Sequence, residues 1–320
     1  MPLYYVAHRL FAAHDRALGA YVAHELTERV GDQAVFLPFC DTDEENLIAD
    51  VKGRRLYELD AMRLRRIDGM IAVLHGPSLD DGVCMEIGYA TALGVPTVIL
   101  TTDFQTYSPG PEASAMAFPD PLIETVAATI VRQHRLSAPQ LPVDGPDRLS
   151  VFLNQNLRTI ATAAEHAAEA LLAARPIEVP APLPDAVDGQ RLAFIEPSPY
   201  LPADLWSQVV DHLLAAGWRV HVSRRFRDQD DPLKTAQSDW NAFCRASLTV
   251  VDVRGPETPP GAALLIGASA ATGQPVLAAA DGWWTFADGR EPNWRNLMIQ
   301  YAVHGRFTNL GEFTNLVQAR

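Results

Sequence analysis

The sequence has little cysteine and few basic residues, and each shortage excludes a class of protein. Its 320 residues include three cysteines, Cys40, Cys84 and Cys244. Three thiols with no Cys-x-x-Cys pair cannot build a disulfide framework or a zinc ribbon. They read as small buried hydrophobes of a reducing compartment. Lysine and arginine number 26 against 39 acidic residues, a formal net charge of −13. An acidic chain gains nothing from counterion release on a phosphate backbone, which argues against a nucleic acid polymer as main partner. The local cluster Arg63, Arg65 and Arg66 suits one small anion at most. Long apolar runs are also missing: none reaches the roughly 20 residues of a membrane helix. The N-terminus has neither the basic start nor the apolar core of a signal peptide, so a cytoplasmic chain with no membrane contact is expected. Metal-ligand spacings of His, Cys and Asp are lacking, as is a glycine-rich phosphate loop, so no metal and no other cofactor is expected.

What is present is ordinary globular composition, 48% hydrophobic and 20% charged, with a length prior of about two domains. Short strand-like runs alternate with longer helical patterns, the sign of α/β layers with mostly parallel sheets. Strands are expected at Leu3–Ala7, Ala34–Pro38, Met70–Leu74 and Pro96–Leu100, with helices over 13–30, Leu56–Leu64, Gly82–Leu93 and 148–174. Pro176, Pro180, Pro182 and Pro184 then mark a semi-rigid linker. After it the pattern restarts, with strands at Leu192–Ile195, Arg219–Val222, Ser247–Val253 and Pro275–Ala278 and helices at Leu205–Ala216 and from Gly261. The expected organisation is a first domain over 1–175, a linker over 176–189 and a second domain over 190–320. Both are flavodoxin/Rossmann-like, doubly wound units, set together as an intrachain pseudo-dimer.

The restart is a repeat. Aligning Gly82 with Gly261 sets an offset of 179 residues. At that offset Arg66, Gly76, Pro77, Ile87, Gly88, Ala92, Gly94 and Pro96 fall on Arg245, Gly255, Pro256, Ile266, Gly267, Ala271, Gly273 and Pro275. The copies differ on carboxylates: Glu86 is matched by Leu265, Asp80 and Asp81 by Pro259 and Pro260, Asp68 by Ser247, and only Asp60 by another aspartate, Asp239. The first copy therefore holds an acidic cluster at a strand-to-helix turn, where ligands of open α/β sheets bind. Asp80 or Asp81 can cap the helix near Gly82. Glu86 sits about one turn in, where the helix dipole favours its anion. An ionised, positioned carboxylate suits attack on an electron-poor sugar carbon. The plainer reading of the same spacing is a pair of caps and a solvated glutamate.

Tyr5-Val-Ala, Asp60, Asp68 at a strand head, the run Asp80-Asp-Gly-Val-Cys-Met-Glu-Ile-Gly-Tyr-Ala90 and Gly94-Val-Pro96 together resemble the nucleoside 2-deoxyribosyltransferase family. The resemblance covers most of residues 3–103 and chooses the chemical reading. It implies that Glu86 attacks C1′ of a 2′-deoxynucleoside, displaces the base, and passes the sugar to a second nucleobase or to water. It implies that Tyr5 holds Glu86 in line and that Asp60 exchanges a proton with the base. Asn296-Leu297-Met298 resembles the Asn-x-Met segment that a neighbouring subunit lends to the site in that family. Here it follows the copy without the glutamate, so one chain would mimic the family's dimer. Asp80 and Asn296 would bind the 5′-hydroxyl, with Met298, Gly82 and His8 lining the substrate. Ser114-Ala115-Met116 stands as the first copy's counterpart of that segment. Asp68 and Asp239 read as structural, and His75 flanks the cleft.

Two departures leave the base undecided: the chain ends Val317-Gln318-Ala319-Arg320 rather than on an aromatic residue, and Phe39-Cys40-Asp41-Thr42 matches neither specificity class. Partners by resemblance are nucleosides and nucleobases, with homo-oligomers of pseudo-dimeric chains left open. Two alternatives remain at this point: a nucleoside 5′-monophosphate N-glycosidase, since relatives of that kind carry Ser where transferases carry Asn, and a non-catalytic nucleotide-binding module.

Overall fold

The computed structural model describes residues 2–41, 51–110, 114–135, 147–179, 191–202, 204–227, 231–282, 284–286 and 291–319. The first part of the chain runs β1 (Tyr4–Ala7), α1 (Ala13–Val30), a short 3-10 turn (Asp32–Ala34), β2 (Val35–Phe36), α2 (Lys52–Leu64), β3 (Gly69–Val73), α3 (Asp81–Ala92), β4 (Thr97–Thr101), α4 (Pro121–Val126), β5 (Thr129–Arg132) and α5 (Arg148–Ala173). The second runs β6 (Leu192–Glu196), α6 (Asp204–Ala215), β7 (Arg219–Val222), α7 (Pro232–Phe243), β8 (Leu248–Asp252), α8 (Pro260–Thr272), β9 (Val276–Ala279), α9 (Leu297–Ala302), β10 (Gly305–Phe307) and α10 (Leu310–Gln318). The expected strands and helices are present, shifted at their ends by a few residues. Of the linker prolines, Pro180, Pro182 and Pro184 lie outside the described residues. Ile177, just before them, donates its N–H to the Gly94 carbonyl, so the chain after α5 turns back along the first sheet.

Each part forms a five-stranded parallel sheet, ordered β2-β1-β3-β4-β5 and β10-β9-β8-β6-β7. Renumbered within its own copy, the second is also 2-1-3-4-5, the flavodoxin-like order. The inner strands β3 and β4 are buried along their whole length, which is why they read as unbroken apolar runs rather than alternating ones. In each copy the first strand lies between the second and the third, so the chain changes winding direction there. The crevice at that switch is where the first copy carries its polar loops.

The copies meet through α3 and α8, helices that lack a polar face because each is covered by a sheet on one side and by the other helix opposite. Gly88 and Gly267 make the crossing close. A Cβ on Gly88 would collide with the backbone carbonyl of Leu264, and one on Gly267 with that of Met85. Met85 and Leu264 hold the same place in the two copies, so the contact is reciprocal. One hydrophobic cluster runs through both copies, from Tyr5, Met70 and Met85 to Phe194, Leu264 and Met298. Ser78 donates to Glu257, its own counterpart 179 residues on, as expected near a pseudo-twofold axis.

The cysteines depart from expectation. Cys84 is buried in α3, but Cys40 is exposed in the turn after β2 and Cys244 is only partly covered at the end of α7. Loop and helix-end positions leave a thiol beside solvent that a central helix would cover. Among the described residues, no helix is long and apolar enough to cross a membrane.

Candidate active site

The candidate site is assembled by four elements of the first copy and one loop of the second. Asp80 caps α3, accepting the Val83 N–H at 2.9 Å. Starting the helix there places Glu86 in its second turn, facing β1. Tyr5 on β1 meets it: the Tyr5 hydroxyl donates to Glu86 Oε1 at 2.5 Å. Phe36 of β2 stacks obliquely on Tyr5, 5.4 Å between ring centroids, and fixes the phenol. Asp60, near the end of α2, lies 3.6 Å from Arg63, whose guanidinium covers the Phe36 ring at 4.1 Å.

Glu86 is not the solvated residue of the plainer reading; it is 8% exposed. The expected gain from the helix dipole is real in sign but too small. Burial pushes its carboxyl up to about 8, the Tyr5 hydrogen bond pulls it partly back, and the charges of Asp60 and Asp80 add to the rise. Tyr5 is held well above the usual phenol range by its burial and by Glu86, so it stays a donor.

The second copy reaches in with the segment before α9. Asn296 caps that helix, its Oδ1 accepting the Met298 N–H at 3.0 Å, and its Nδ2 donates to Asp81 Oδ1 at 3.0 Å. Met298 is buried in the shared cluster. Gly82 is small for a reason visible here: a Cβ would sit 3.0 Å from Asn296 Nδ2 and 3.1 Å from Asp80 Oδ1. These two polar atoms converge on one spot above the first turn of α3. Asp80 is also 3.9 Å from Arg9, and its burial raises its carboxyl while the Val83 N–H and Arg9 pull it down.

Beside Asp80 a cavity of about 200 Å³ opens at the switch between β1 and β3, bounded by His8, Arg9, His14, Asp15, His75 and Ser78 among others. Its histidines do not make it strongly cationic. His8 and His75 are both pushed down by burial. The His8 ring rests on Gly19 of α1, where a Cβ would strike it. His75 Nε2 accepts the Thr102 N–H at 2.9 Å. Arg9 is shared between Asp15 at 4.0 Å and Asp80. Asp68, expected to be structural, accepts the Leu3 N–H at 2.7 Å. Of the stretch Phe39–Thr42, Thr42 lies outside the described residues, while Asp41 accepts the Leu37 N–H at 2.7 Å.

The pseudo-equivalent place in the second copy is closed. Tyr5 pairs with Met70 and Phe194 with Thr249, so Phe194 stands where Tyr5 does and has no hydroxyl, as Leu265 has no carboxylate. Asp239, counterpart of Asp60, is buried and takes up His221 at 2.8 Å and the N–H groups of Arg224 and Arg225. Arg225 fills the remaining space with no exposed surface. Its guanidinium is held by Asp120 at 2.7 and 2.9 Å and by Glu196 at 2.6 and 2.9 Å.

Asp120 corrects one expectation. It caps α4 by accepting the Leu122 N–H, just as Asn296 caps α9, and it approaches Gly261 as Asn296 approaches Gly82. The counterpart of Asn296 is therefore Asp120, not Ser114. The caps Asp120 and Asn296 are 176 residues apart, three short of 179, so the offset no longer holds there. Sequence reasoning also missed Arg9, Arg225 and the bridging role of Asp81. Asp120-Pro121 and Asp231-Pro232 did carry a readable signal, a capping residue followed by proline at the first helical position.

Comparison with known proteins finds a family match over the first copy. The profile of the nucleoside 2-deoxyribosyltransferase family matches residues 4–145. A solved structure, a conserved protein from Enterococcus faecalis V583, is 31% identical over 32% of this chain and 65% of that one, with a TM-score of 0.28; the chain thus spans less than two thirds of its length. No curated protein matches the sequence. Over residues 4–145 the chain is thus similar to the nucleoside 2-deoxyribosyltransferase family.

Proposed function

We propose that the chain is a nucleoside 2-deoxyribosyltransferase with one composite site, in which Glu86 forms a covalent glycosyl intermediate. The observation that carries this reading is the buried Glu86 carboxyl under the Tyr5 hydroxyl at 2.5 Å, flanked by Asp60 and Asp80 and roofed by a loop of the second copy. Once ionised, a desolvated Glu86 is a strong nucleophile. It attacks C1′ of a 2′-deoxynucleoside, and the C1′–N bond breaks with its electron pair going to the base. Asp60 supplies a proton to a ring nitrogen of the departing base. A ring nitrogen of a second base then attacks C1′, releases Glu86, and returns its proton to Asp60. Two displacements at one carbon retain configuration. Tyr5 keeps the attacking oxygen in line and spreads the charge that returns to Glu86.

The sugar's 5′-hydroxyl fits between Asp80 Oδ1, an acceptor, and Asn296 Nδ2, a donor. Gly82 leaves room for it, and Met298 and His8 close the sides. This pairing favours an uncharged hydroxyl over a phosphate. Arg9 is already balanced by two carboxylates, and burial pushes both His8 and the half-buried His75 toward neutrality. The monophosphate hydrolase reading relied on Ser114 of one chain meeting Glu86 of another copy, whereas within one chain Asn296, not a serine, stands over Gly82. A binding-only module would not need a carboxyl buried at this cost to the fold.

The test is product analysis by chromatography. Protein is incubated with a deoxynucleoside and a free acceptor base, and separately with deoxynucleoside monophosphates. The expected result is exchange of bases in the first mixture and its loss in Glu86→Ala. Free base from monophosphates alone, or no turnover of either substrate, would overturn the proposal.

A further inference from the structure

The hydrogen bond between Asp81 and Asn296 is a polar contact between the copies at the mouth of the site. Asp81 lies outside the chemistry described above; its neighbour Asp80 makes the helix cap. Both ends of the Asn296 amide are engaged: Oδ1 accepts from the Met298 N–H and Nδ2 donates to Asp81. Turned over, the amide would set its NH2 against an N–H and its oxygen against a carboxylate. Both contacts would be repulsive. Asp81 thus has the geometry to decide which face of Asn296 the substrate meets.

The second copy supports this by contrast. There the counterpart of Asp81 is Pro260, which has no carboxylate, and the counterpart of Asn296 is Asp120. Asp120 is held instead by Arg225. Each copy therefore orients the capping side chain received from the other, but with a different partner. Only in the first copy does this leave a donor hydrogen free beside an acceptor, Asp80 Oδ1, around Gly82.

We propose that Asp81 is a positioning residue: it locks the Asn296 amide with Nδ2 toward the site, so that the sugar hydroxyl meets a donor, and it does so across the junction of the two copies. This rests on the reading of Asn296 as a substrate-binding residue. Burial and the charge of Asp80 push the Asp81 carboxyl up to about 6, with the Asn296 hydrogen bond opposing, so it is ionised and a strong acceptor at neutral pH.

The test compares Asp81→Ala with Asp81→Asn, which keeps an acceptor oxygen of the same shape. Loss of a charge-assisted hydrogen bond should raise KM for the deoxynucleoside about tenfold or more in Asp81→Ala with kcat little changed, and Asp81→Asn should recover most of it. Equal damage in both variants, an unchanged KM, or a fall confined to kcat would overturn the proposal. A second readout needs no turnover. The side-chain amide signals of Asn296, assigned in ¹⁵N NMR spectra by their absence in Asn296→Ala, should be sharp in the wild type and in Asp81→Asn and averaged in Asp81→Ala. If the wild type exchanges no bases, the reading of the site fails, while this spectrum still decides whether Asp81 locks the amide.

Discussion

Replacing Glu86 by glutamine should abolish turnover and stabilise the protein, by an amount that depends on pH in a defined direction. In the folded chain the Glu86 carboxyl keeps its proton up to about 8, against an ordinary value of 4.5. Between those values the unfolded chain releases a proton that the folded chain retains. Stability contributed by this group is therefore whole below about pH 4.5 and lost as pH rises toward 8. At about 1.4 kcal/mol for each tenfold change in proton affinity, the full loss is on the order of 5 kcal/mol, an upper bound for a coupled group. Glutamine keeps the shape and can accept the Tyr5 hydroxyl, but does not titrate. Urea unfolding of both proteins at about pH 5 and pH 8.5 gives the comparison. The difference between them should be small at the lower pH and several kcal/mol in favour of Glu86→Gln at the higher. The same ionisation should appear in kcat/KM of the wild type, rising about tenfold per pH unit and levelling near pH 8, because only the anion attacks. A stability difference constant between the two pH values would refute the reasoning, since Glu86 would then ionise alike in both states.

Two further substitutions probe the junction of the copies. Gly88→Ala forces a methyl group into the Leu264 carbonyl and should cost more than about 3 kcal/mol or prevent folding, while Gly94→Ala, away from the crossing, serves as a milder control for left-handed backbone at φ 76°; thermal denaturation followed by circular dichroism distinguishes them. Arg225→Met leaves Asp120 and Glu196 buried without their cation and should cost about 3–5 kcal/mol. Adding Asp120→Asn and Glu196→Gln should restore much of that stability, which a double-mutant analysis of urea midpoints would measure.

Much of the fold was legible because the features that specify it are local. The central strands are continuous apolar runs, α1 and α5 are long enough for a period to register, and the Gly-Pro punctuation of the repeat survives in both copies. The segments not foreseen, such as α4 at six residues and β10 at three, are too short for periodicity to speak. In the site, spacing offered the carboxylates Asp80 and Glu86, and the family resemblance singled out Tyr5, Asp60 and Asn296 beside them. What spacing could not convey was their environment. The dipole argument for an ionised Glu86 considered its own helix and not the sheet and the second copy that bury it. Arg225 was invisible for a related reason. Its partners lie 105 and 29 residues away, and an arginine inside the charged run from Arg224 to Asp231 reads as surface. The mistaken choice of Ser114 came from likening Ser114-Ala115-Met116 to Asn296-Leu297-Met298 by residue type, whereas the shared capping role pairs Asn296 with Asp120.

On the proposed reading, the second copy is half of an active site rather than a decayed one. A copy released from all constraint would lose residues independently. Here the changes belong together: the hydroxyl of Tyr5 is missing at Phe194 where the carboxylate it would serve is missing at Leu265, and the space is taken by Arg225, which turns Asp239, Glu196 and Asp120 into structural partners. Filling one site with a buried ion cluster fixes Asp120 and α4 on the second copy, and through the reciprocal crossing at Gly88 and Gly267 it fixes α3 on α8. That same docking delivers Asn296 to Asp81. The closed site thus steadies the open one, and a variant that loosens Arg225 should be felt first at Asn296, on the far side of the pseudo-twofold axis.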